Sequence, residues 1–96
     1  MLARKADDKL NIASGLEGLA SVVAAQGAYT WAARLWGAAE ALRESIGAPL
    51  PAVECPAYER AVAAACAHLG QSAFATTWTE GQGMAVEDAL RDEDNL

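Results

Sequence analysis

The residues of this chain whose types could do chemistry are few: Cys55, Cys66, His68, and the glutamates Glu40 and Glu44. The two thiols with the single histidine would make a soft metal site. Such a site needs spacings of the C-x-x-C or H-x-x-x-H kind, which place ligands on one face. Residues 66 and 68 stand two apart on a helix and point to nearly opposite sides. The spacing therefore argues against a metal. His68 beside either thiol would be the base of a nucleophile pair, yet no third group is placed to orient the imidazole. The plainer reading is a buried free thiol at Cys66 and a surface histidine near a helix C-terminus, where a cation is favoured. Glu40 and Glu44, one helical turn apart, have the spacing of paired carboxylates. They read more plainly as a solvated polar face, with Glu40 near Arg43. No catalytic residue, metal or cofactor is assigned, and the chain is not expected to be an enzyme.

Recognition is the other chemistry on offer. Trp31, Trp36 and Trp78 form an aromatic set in a chain with one phenylalanine. Trp36 and Trp78 fall on inward stripes. Trp31 lies off its stripe, where it either covers a neighbouring helix or anchors a partner protein. Tyr29, Trp31 and Arg34 together could line a peptide groove, although such grooves normally need several stacked helical repeats. Ile12, Trp31, Tyr29 and Arg34 are the interaction candidates.

The elements that position these residues are helices. Apolar residues make up 53% of the 96, but alanine dominates them, and alanine is the best helix former and a poor core filler. That composition favours closely packed helices in one small domain. The formal charge of −6 offers no clustered positive surface for nucleic acid, and it disfavours a membrane surface too. No apolar run approaches the roughly 20 residues that span a bilayer. The start, MLARKADD, has no apolar core of a signal peptide. The cytoplasm is the expected compartment, and two cysteines are compatible with it.

Along the chain, residues 1–8 read as the remnant of a preceding repeat or linker, with a turn at Asp7–Asp8. The spacing predicts a hairpin over 9–47. Its first helix carries Ile12, Leu16, Leu19, Ala20 and Val23 inward and ends at Gly27. Its second carries Ala32, Leu35, Trp36, Ala39, Leu42 and Ile46 inward and ends at Gly47. Gly37 inside the second helix costs about 1 kcal/mol relative to alanine, which a close helix crossing would offset. Residues 48–55 form a loop held open by Pro49 and Pro51. Residues 56–91 hold a capping hairpin: one helix to Leu69 with Tyr58, Ala61, Val62, Ala65 and Leu69 inward, a second from Gln71 to Glu80 broken at Gly81–Gly83, then a short helix over 86–91. Residues 92–96 should fray. The expected fold is all-α, two stacked antiparallel hairpins plus a short C-terminal helix.

The first hairpin resembles a tetratricopeptide unit, a repeat of about 34 residues. Leu16, Leu19, Ala20, Ala32, Trp36 and Ala39 stand at its apolar and small positions. Val23 stands where an aromatic is usual, and Glu44 where a proline is usual. The second hairpin matches weakly. The runs DKLNIASGLEGLASVVAAQG, AARLWGAAEALRESIGAPLP, YERAVAAACAHLG and FATTWTEGQGM resemble, as a set, the C-terminal segment of bacterial predicted-ATPase signalling regulators. These include LuxR-type transcriptional regulators and adenylate cyclase relatives. The resemblance implies a regulatory, non-catalytic interaction or structural module, and the truncated look of residues 1–8 suggests one cut from a larger regulator. Its partner would be neighbouring repeats or another protein, and a homodimer is possible. The phosphate loop G-x-x-x-x-G-K-[ST] does not occur in the sequence. The alternative function is a small-molecule sensor, with an apolar pocket between the hairpins lined by Trp36, Trp78 and Phe74.

Overall fold

The computed structural model describes the backbone of residues 2–91 and the side chains of residues 8–91. Helices α1 (Leu2–Ala25) and α2 (Tyr29–Ile46) are joined by a tight turn at Gly27. The turn closes by two hydrogen bonds: the Gly27 N–H donates to the Ala24 carbonyl at 3.0 Å, and the Ala28 N–H to the Val23 carbonyl at 2.9 Å. This closure requires a left-handed residue, and Gly27 takes φ +91°. Gly47 repeats it at the end of α2, with φ +64° and the Ala48 N–H donating to the Arg43 carbonyl at 3.0 Å.

The loop after Gly47 contains Pro49 and Pro51 and ends in one 3-10 turn, Ala52–Glu54. Helix α3 (Cys55–Leu69) follows with Pro56 in its first turn, where no amide donor is needed. Gly70 alone separates α3 from α4 (Gln71–Gln82), and α5 (Val86–Ala89) is a single turn. Among the described residues the chain is thus all-α, with four main helices and a short fifth packed antiparallel into a compact globule. Its radius of gyration is 12.8 Å.

Helix α2 is central, with α1 along one side and α4 along the other; α3 and α5 touch it less, and α1 barely meets α3. The core is mostly alanine. Ala13, Leu16, Ala20, Val23 and Ala24 of α1 face Ala32, Leu35, Trp36 and Ala39 of α2, with Ala65 and Ala89 completing it. Small side chains let the backbones approach, and the glycines take this furthest. A Cβ on Gly37 would strike the Trp78 carbonyl oxygen, and one on Gly81 the Arg34 carbonyl oxygen. Helices α2 and α4 therefore cross glycine to backbone, which is the close crossing that Gly37 implied.

Several expectations need correction. Helix α1 passes without a break through Asp7 and Asp8, so the turn expected there is absent. Ile12 is 42% exposed, and among the described side chains the first buried one on α1 is its neighbour Ala13. Helix α4 does not break at Gly81, which is buried inside it against α2. The last helix ends at Ala89, not Arg91. Cys66 is half-buried. The fraying expected of residues 92–96 lies outside the described residues.

Candidate functional site

Three of the four interaction candidates are occupied within the molecule. The Tyr29 ring, at the start of α2, stacks on His68 at the end of α3, with centroids 4.3 Å apart and planes at 10°. The Trp31 indole N–H donates to the Ala89 carbonyl at 2.9 Å, tying α5 to α2. Arg34 Nε lies 4.0 Å from the Glu80 carboxylate of α4. Each residue thus clamps a different helix onto α2. They do not converge on the groove that their spacing suggested. Ile12 remains exposed on α1, together with Leu10 and Val22.

Of the residues whose types could do chemistry, Cys55 and His68 do not come together, whereas Glu40, Glu44 and Cys55 line one cleft. Cys55 and His68 sit at opposite ends of α3, about 20 Å apart at 1.5 Å per residue. The Cys55 thiol donates to the Pro51 carbonyl at 3.6 Å. Among the described residues no three of His, Cys, Asp and Glu come together to hold a metal ion. No helix of these residues is long and apolar enough to cross a membrane.

The aromatic rings expected to line an apolar pocket between the hairpins pack against one another. Trp36 is buried, its ring centroid 6.4 Å from that of Trp78, which lies 5.4 Å from that of Phe74. Tyr58 meets Trp36 edge-on at 6.2 Å. These contacts are the preferred offset and tilted arrangements of aromatic rings.

A cleft lies elsewhere. About 490 Å³ opens between the C-terminal half of α2, the loop after it and the start of α3. Glu17, Glu40, Glu44 and Glu59 line it with Arg43, and Pro49, Leu50, Cys55 and Tyr58 supply much of the rest. A second hollow of about 350 Å³, beside α1, shares Glu17, Leu50 and Tyr58 with it.

Arg43 organises the cleft. Its Nε donates to Glu17 Oε2 at 2.6 Å and its Nη2 to Glu17 Oε1 at 2.8 Å, a bidentate pair almost wholly shielded from solvent. Its Nη1 reaches the carbonyls of Ala48 and Pro49, at 3.2 and 3.5 Å. The bonds to Glu17 hold the guanidinium charged against the cost of burial. Glu40 is half-buried rather than fully solvated as its position had suggested. Its Oε1 accepts from the Trp78 indole N–H at 3.0 Å and from the Gln82 amide, both on α4. Burial, and then the charges of Glu40 and Glu17, push the Tyr58 phenol well above its ordinary value near 10. It remains a neutral hydroxyl in a negative field.

Glu17 had no signal in the sequence beyond its place one turn from Ala13 and Ala20 on the buried side of α1. Comparison with models of protein families, with curated proteins and with solved structures finds no match to this chain.

Proposed function

We propose that this chain is a non-catalytic protein–protein interaction and structural module of tetratricopeptide-like hairpins, of the kind that belongs to cytoplasmic bacterial transcriptional or signalling regulators. Its working surface is the outward face of α1. One observation carries this reading. Gly15 and Gly18 stand in the middle of a 24-residue helix, exposed, with open space where their Cβ atoms would be. Each costs about 1 kcal/mol of helix stability relative to alanine. Gly37 and Gly81 incur the same cost and recover it at the α2–α4 crossing. The glycines of α1 have no such crossing among the described residues.

Val22 is 55% exposed and shares this face with Gly15 and Gly18, at helical spacings of three and four. Leu10 and Ile12 are exposed as well, on the two flanks of this face nearer the N-terminus. A second helix can seat on this face as α4 seats on α2. A second copy of the chain brings a face of the same kind, and two such faces pair about a two-fold axis. The test is the solution mass by light scattering across a concentration series. A mass rising toward twice 10.0 kDa, and held at the monomer by Val22→Glu with helicity retained, supports the reading. A monomer at every concentration contradicts it.

A further inference from the structure

The cleft beside Tyr58 carries more negative charge than it balances. Four glutamates line it, and its one arginine is engaged by Glu17 and two loop carbonyls. Glu40 receives both of its α4 donors on Oε1, so Oε2 keeps its acceptor capacity. Glu44 and Glu59 are exposed, without a cation partner among the described residues. Against these charges stands an apolar wall of Pro49, Leu50 and the Tyr58 ring. The volume falls within the ~300–1,000 Å³ of small-ligand sites.

An anion in this space would meet a carboxylate on several sides. A neutral apolar molecule would strip water from Glu40 and return nothing to it. A cation on a hydrocarbon body satisfies both the wall and the charges, and an aromatic face attracts it further. We propose that the cleft binds an organic cation, an ammonium or guanidinium group on an apolar stem, lying against Tyr58 with its charge toward Glu40, Glu44 and Glu59. The inference is independent of the association through α1, since Gly15, Gly18 and Val22 do not line this cleft.

Amide-resolved NMR titration of the intact chain at low salt tests it. The probes are phenethylammonium, the peptide acetyl-Gly-Leu-Lys-Gly-amide, and neutral 2-phenylethanol. At least one cation should give saturable shifts centred on the amides of Gly47, Ala48, Leu50 and Tyr58, and the alcohol should give none. Glu44→Gln with Glu59→Gln changes only exposed side chains, so the fold should persist while binding weakens about fivefold or more. Tighter binding of the amine assigns the site to a free small molecule. Tighter binding of the peptide assigns it to a basic side chain of a partner protein. Either upholds the site. It is overturned if neither cation saturates, if the alcohol binds as well, or if the double substitution leaves affinity unchanged.

Discussion

Four hydrogen bonds leave the Arg43 guanidinium, two to Glu17 on α1 and one each to the carbonyls of Ala48 and Pro49. The side chains of the pair are 8% and 11% exposed, so removing one partner strands a buried charge. Glu17→Leu or Arg43→Met should each cost about 3–5 kcal/mol, and the double Glu17→Leu/Arg43→Met should cost less than the sum. Denaturant midpoints of the three variants measure this; single costs below about 1 kcal/mol would mean that the pair behaves as a surface one. Tyr58 makes a prediction in pH. Its folded pKa is raised, so above pH 10 the unfolded chain loses a proton that the folded chain keeps. The stability it contributes is present below pH 10 and is lost as pH rises beyond it. Unfolding free energy measured from pH 8 to 11 should fall, and Tyr58→Phe should flatten the fall. An equal slope in the variant would assign the loss to other groups.

At the scale of elements, the same residue type should act with opposite sign in two helices. Gly37→Ala drives a methyl into the Trp78 carbonyl and should destabilise by about 1–3 kcal/mol, as overpacking does. Gly15→Ala and Gly18→Ala meet open space and should each stabilise by up to about 1 kcal/mol. Thermal melts of the three variants check the signs. The elements were largely legible in the sequence, because periodicity and the terminal glycines Gly27, Gly47 and Gly70 bound each main helix of the two hairpins. Gly37 could be read as a crossing. Gly81 could not, since a glycine followed two residues later by another looks like a helix end until a partner backbone is seen. Ile12 misled for a related reason. In an alanine-rich interface the small residue turns inward, and ranking by size chose Ile12 over Ala13. The cleft was not legible. Glu17 and Arg43 stand 26 residues apart, and Tyr58 joins them from a third element. No local spacing encodes that meeting.

For the whole molecule, α2 serves as an axle. Tyr29, Trp31 and Arg34 fasten α3, α5 and α4 to it, while α1 is held on one side and left open on the other. The proposed association belongs to that open side. The most direct measurement is sedimentation equilibrium of the chain beside the double variant Gly15→Ala/Gly18→Ala, with a thermal melt of each. Alanine keeps the helix, the charge and the apolar character, and fills only the space that a crossing helix would need. The parent should self-associate, and the variant should melt higher yet associate more weakly. A monomeric parent, or a variant that associates as tightly as the parent, would contradict the proposed association.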